Sequence, residues 1–141
     1  DPIARAYGWR ELAAAAQSAA SAGVSPRAKT WLGGDRYQEA SEIAFHDPLH
    51  RTTFSTNLSG RRNQYDLWPQ FPDVAQAGDN LILVLDDVAE PHATVRALSP
   101  YFGAVRRGEL VVLRRGSGEI GTRRIWELSG WQGGWPERAV P

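Results

Sequence analysis

Asn80-Leu81-Ile82-Leu83-Val84-Leu85 constrains this chain more than any other stretch of it. An amphipathic strand alternates apolar and polar residues, and an amphipathic helix repeats its apolar positions every three or four. From Leu81 to Leu85 every residue is apolar, so a strand here must be covered on both faces. Gly78-Asp79 before it and Asp86-Asp87 after it keep the run far short of the ~18 apolar residues of a membrane span. The run therefore predicts an interior strand of a sheet. The 141 residues suffice for one such core, and residues 1–141 read as a single domain.

The flanking segments predict alternating helices and strands. Trp9, Leu12, Ala13, Ala16 and Ala20 form one apolar stripe opposite Arg10, Gln17, Ser18 and Ser21, and Gly23 closes that helix. Residues 29–33, with Trp31 and Leu32, read as a short strand. Asp35 and Gln38 have the spacing of a capping box for a second helix carrying Tyr37, Ala40, Ile43 and Ala44, which Pro48 stops. Residues 51–56 read as a strand, and residues 57–78 as a long ordered loop with little helix. After Asp86-Asp87, Pro91, Val95, Leu98 and Pro100 outline a short helix. Three β-runs follow, at 102–106, 109–114 and 123–128, split by Arg107-Gly108 and by Gly116-Ser117-Gly118. This order predicts an α/β fold. The form expected is a three-layer α/β/α Rossmann-like sandwich whose mixed sheet has a parallel core and antiparallel C-terminal edge strands.

Composition removes several functions. Sixteen basic and sixteen acidic residues cancel, so no global field draws the chain to nucleic acid. The absence of Cys excludes disulfides, thiolate metal sites and a cysteine nucleophile. The start, Asp1-Pro2-Ile3-Ala4-Arg5, lacks the features of a signal peptide, and there is no Met even at position 1, so a fragment or processed product is expected. The six Trp are read mainly as packing residues.

The motifs with catalytic associations fail on their context. Gly116-Ser117-Gly118-Glu119-Ile120-Gly121 spells G-x-G-x-x-G, but a pyrophosphate site needs a helix directly after the glycines. Thr122-Arg123-Arg124-Ile125-Trp126 is strand-like instead, so a hairpin turn is expected. His46 and His50 are spaced as helical metal ligands, but Pro48 interrupts the helix and no third ligand is near. His92 stands alone. No nucleophile elbow or P-loop pattern occurs. Accordingly no catalytic residue, metal or cofactor is assigned.

Two polar groupings remain. Asp86-Asp87 follows the interior strand and Asp35-Arg36 follows the first, so both fall at the carboxyl edge where open α/β sheets bind ligands. Such carboxylates act as acids, bases or sugar-hydroxyl acceptors, and equally as caps and turn formers. The second grouping runs from Asn57 to Pro69 and contains Arg61, Arg62, Asn63, Gln64, Tyr65, Asp66 and Trp68. Guanidiniums grip phosphate or carboxylate and aromatic faces stack on sugars; the same residues also satisfy the backbone of a long loop.

Four elements recur in order along nearly the whole chain: Gly8-Trp9-Arg10-Glu11-Leu12, Asp35-Arg36-Tyr37-Gln38, Asn63-Gln64-Tyr65-Asp66-Leu67-Trp68, and Arg-x-x-x-Leu-x-Gly-Trp-x-Gly from Arg124 to Gly133. Together they resemble the C-terminal soluble domain of bacterial membrane glycosyltransferases of the protein-mannosyltransferase-like family. That family includes enzymes that move aminoarabinose or other sugars from polyprenyl phosphate onto lipid A or related acceptors. The resemblance implies a non-catalytic module on the periplasmic side of the cytoplasmic membrane, joined to a membrane-embedded portion of the same polypeptide that holds the catalytic residues. Its implied partners are that portion and a glycan or lipid-linked sugar. The expected contact surface comprises Asp35, Arg36, Tyr37, Arg61, Arg62, Asn63, Gln64, Tyr65 and Asp66. One alternative is a free-standing α/β nucleotide- or sugar-binding enzyme using Asp35, Asp86 and Asp87. Another is a structural domain that docks through an apolar patch containing several of Trp9, Trp68, Trp131 and Trp135.

Overall fold

A computed structural model describes residues 28–34, 53–56, 70–88, 91–115 and 118–136, together with Ala14. The strands are β1 (Thr30–Gly34), β2 (Thr53–Ser55), β3 (Asn80–Asp86), β4 (Phe102–Arg115) and β5 (Gly118–Trp131). Helix α1 (Phe71–Val74) precedes β3, while α2 (Ala93–Leu98) and a 3-10 turn (Ser99–Tyr101) connect β3 to β4. The helices expected near residues 9–20 and 35–47 lie outside the described residues, apart from Ala14.

The sheet order is β2-β1-β3-β5-β4. Strands β2, β1 and β3 are parallel, with Trp31 opposite Leu81 and Leu32 opposite Ile82. Strand β5 is antiparallel to both of its neighbours, placing Leu128 opposite Leu81 and Ile125 opposite Val84. Thus β4 runs in the same direction as β3, and β5 is inserted between them against the grain.

This corrects the expected three-layer Rossmann-like sandwich. Strand dominates the described residues, and α1 and α2 are only four and six residues long. Much of the difference lies in the C-terminal part, where two strands of fourteen residues replace three short runs. Arg107-Gly108 is not a turn. Arg107 pairs with Trp126 and Leu110 with Arg124, so Gly108 and Glu109 together oppose Ile125, and the strand continues through a β-bulge. A Cβ at Gly108 would lie 2.8 Å from the Ile125 carbonyl oxygen, so the bulge depends on glycine there.

Residues of β3 are buried on both faces, as a continuous apolar run requires. Leu81, Leu83 and Leu85 join Phe54, Phe71, Val95, Leu98, Phe102, Leu128 and Trp131 in one core cluster. Ile82 and Val84 alternate to the other face and are also buried, as are their register partners Leu32 and Ile125.

Phe71 gathers the aromatic part of the cluster. Its ring meets Phe54 and Trp131 edge-on, at centroid distances of 6.1 and 5.3 Å, and tilts against Phe102 and Trp135. Helix α1, four residues long, falls within the stretch expected to be a loop with little helix. Pro72 favours its first turn, and the Asp73 carboxylate accepts a hydrogen bond from the Gln70 backbone N–H at 2.7 Å.

Candidate functional site

Asp35, Arg36, Tyr37, Arg61, Arg62, Asn63, Gln64, Tyr65 and Asp66 all lie outside the described residues, as do His46, His50, Trp9 and Trp68. Asp86 and Asp87, the other candidates, are described. They occupy the carboxyl edge of β3, where the alternative enzyme reading requires a carboxylate site.

At that edge the acids meet arginines. The antiparallel register sets Asp86 opposite Arg123 and Leu85 opposite Arg124. Arg123 approaches Asp86 at 3.4 Å and hydrogen-bonds the Thr122 carbonyl at 2.9 Å. Asp87 Oδ1 accepts from Arg124 Nε at 3.1 Å and lies 3.4 Å from an Arg107 nitrogen. Arg124 also donates to the Gly108 carbonyl at 3.1 Å, tying the ion pair to the bulge. Three guanidiniums surrounding two carboxylates compensate charge at this edge.

The other described motifs also take structural roles. Strand β4 ends at Arg115 and β5 runs from Gly118 to Trp131, so strand rather than helix follows Gly118. The His92 Nδ1 accepts from the Thr94 backbone N–H at 3.1 Å, so the imidazole caps α2. Among the described residues no three His, Asp or Glu are grouped to hold a metal ion, and no helix is long and apolar enough to cross a membrane.

The Arg124-to-Gly133 element has a physical account at most of its marked positions. Arg124 makes the contacts above, and Leu128 is fully buried. Gly130 has φ +69°, a conformation favoured by glycine, and its N–H donates to Asn80 Oδ1 at 3.1 Å. Leu128 and Trp131 are three residues apart yet both enter the core cluster, which strict strand alternation forbids. The left-handed backbone at Gly130 supplies that change of face. The Trp131 indole then donates to the Gly134 carbonyl at 2.9 Å. Of the tryptophans considered for a docking patch, Trp131 is buried in the core and Trp135 packs against it while partly buried.

Sequence reasoning missed Asp79, the most heavily engaged carboxylate of the described residues. Only 5% exposed, it sits just before β3. Its carboxylate accepts from the Gln76 N–H at 2.9 Å, the Trp31 indole at 3.0 Å and the Lys29 N–H at 3.1 Å. Its backbone carbonyl accepts from the Trp131 N–H at 2.9 Å. Burial pushes the Asp79 carboxyl up, but those three hydrogen bonds and the Lys29 charge together outweigh it, holding the group below its ordinary value. Gly78-Asp79 could be read locally as a turn leading into a strand. Its partners 48 and 50 residues away left no local signal.

No family model matches the chain, and neither the curated proteins nor the solved structures give a match.

Proposed function

We propose that this chain is a non-catalytic extracytoplasmic domain of a polyprenyl-phosphate-sugar-dependent membrane glycosyltransferase. In this reading it lies on the periplasmic side of the cytoplasmic membrane, beside a membrane-embedded portion of the same polypeptide. There it assists recognition of a glycan or lipid-linked head group through Asp35, Arg36, Tyr37 and the Arg61–Asp66 segment. The class rests on the four ordered sequence elements. The non-catalytic part is supported by one observation above all: both described carboxylates at the carboxyl edge of β3 face arginines in ion pairs.

The test is sugar transfer by the intact polypeptide that carries this domain. Arg36→Ala with Tyr65→Ala is expected to raise the acceptor KM several-fold with kcat little changed, because lost recognition weakens binding without touching the chemical step. Unchanged KM and kcat would remove the recognition role. Asp87→Asn is expected to retain kcat; a thousand-fold loss with the fold intact would favour the free-standing enzyme reading instead.

A further inference from the structure

A groove of about 440 Å³ opens between α2, the 3-10 turn and the β4–β5 hairpin. That volume suits a small ligand. Its walls are Pro91, Val95, Pro100, Val105 and Trp126, and the remaining lining residues, Arg96 and Ser99, carry polar side chains. A sugar needs hydrogen-bond partners for several hydroxyls at once, and this lining supplies few. An alkyl chain or aromatic ring needs contact area and the removal of water, which two prolines, two valines and an indole provide.

Charge narrows the occupant further. Arg106, Arg107, Arg123 and Arg124 each approach a carboxylate. Exposed Arg96 pairs with none among the described residues. An apolar trough beside a guanidinium that meets no carboxylate among the described residues complements a molecule with an apolar body and an anionic end.

We propose that this groove binds an anionic amphiphile, its chain or ring lying against Trp126, Val95 and Val105 and its phosphate or carboxylate head meeting Arg96. The proposal is independent of the glycosyltransferase reading, because none of the residues assigned to glycan or head-group recognition lines the groove.

Titration of the whole 141-residue chain with dodecyl phosphate, below its micelle concentration, tests this proposal. The Trp126 indole N–H resonance, identified by its disappearance in Trp126→Phe, is expected to shift saturably. Arg96→Gln is expected to weaken binding roughly tenfold through loss of a charge-assisted contact. Dodecyl maltoside, with the same chain and a neutral head, is expected to bind comparably weakly, and inorganic phosphate alone to leave the indole resonance in place. Ser99→Phe, which fills the groove from an exposed position, is expected to abolish the shift. Failure of the resonance to saturate, or equal dodecyl phosphate binding by wild type, Arg96→Gln and Ser99→Phe, overturns the proposal. Cosedimentation with phosphatidylglycerol vesicles that depends on Arg96 would identify a membrane lipid as the source. Dodecyl phosphate binding without cosedimentation would identify a free amphiphile.

Discussion

Strand β3 has carboxylates at both ends, and the ends use them differently. At the amino end, buried Asp79 is held by two backbone N–H groups and an indole, and two of those three donors lie on or beside β1. Its carbonyl takes the Trp131 N–H from the end of β5, while Asn80 accepts from Gly130. One turn thus ties both neighbours of β3 in register. At the carboxyl end, Asp86 and Asp87 are partly exposed and meet the charges of long arginine side chains. Loss of an acid strands buried donors at the first end, whereas at the second it leaves arginines that water can solvate. The amino end therefore sets register, and the carboxyl end chiefly balances charge.

The strongest challenge to this contrast is Asp79→Ala. It removes the acceptor of three hydrogen bonds and is expected to destabilise the fold by about 3 kcal/mol or more, read by urea denaturation. A loss below about 1 kcal/mol would make the two ends equivalent. Acid sharpens the same point. The folded Asp79 carboxyl lies below its ordinary value of 3.8, so as pH falls the unfolded chain takes up the proton first. Its contribution is complete above the unfolded value and is lost as pH falls through the folded one. Melting temperature should drop below pH ~4, and Asp79→Asn, which carries no titrating group there, should flatten that limb.

Next in size is Gly108→Ala at the bulge, where the added Cβ would meet the Ile125 carbonyl at 2.8 Å. Either the strands separate locally or the bulge shifts, at an expected cost of about 2 kcal/mol in the same denaturation assay. Because Arg124 hydrogen-bonds the Gly108 carbonyl, movement here should also disturb the Asp87 ion pair. A double-mutant cycle of Gly108→Ala with Asp87→Asn would show that coupling as non-additivity; strict additivity would separate bulge from ion pair.

The unequal legibility of the two ends follows from how far each interaction reaches along the chain. The apolar run from Leu81 to Leu85 announces an interior strand because burial on two faces requires it, and β3 spans Asn80–Asp86. Pro91, Val95 and Leu98 similarly announce α2, because its local periodicity requires no distant partner. Arg107-Gly108 misled for the opposite reason. Glycine marks a turn or a bulge with equal economy, and only the carbonyl of Ile125, seventeen residues away, decides between them. Asp79 was hidden by the same distance. Of the candidate site, Asp86-Asp87 could be placed at a strand end, but their arginine partners depended on an antiparallel β5 next to β3, which an α/β/α reading did not specify. The nine residues proposed for recognition lie outside the described residues.

The smallest expected effects lie among the ion pairs themselves, and they grade the carboxyl end internally. Asp87→Asn leaves an amide that still accepts from Arg124, so its expected cost is at most about 1 kcal/mol, shrinking as salt is added. Arg106→Gln breaks the pair between Arg106 and Glu127, in which the arginine side chain is 74% exposed. Water already competes for that guanidinium, and holding its long side chain in one geometry costs entropy. The change should fall within about 0.5 kcal/mol and show still less salt dependence. If Arg106→Gln proved as costly as Asp87→Asn, exposure would not govern these pairs, and the distinction between a buried register lock and a charge-balancing edge would lose its physical basis.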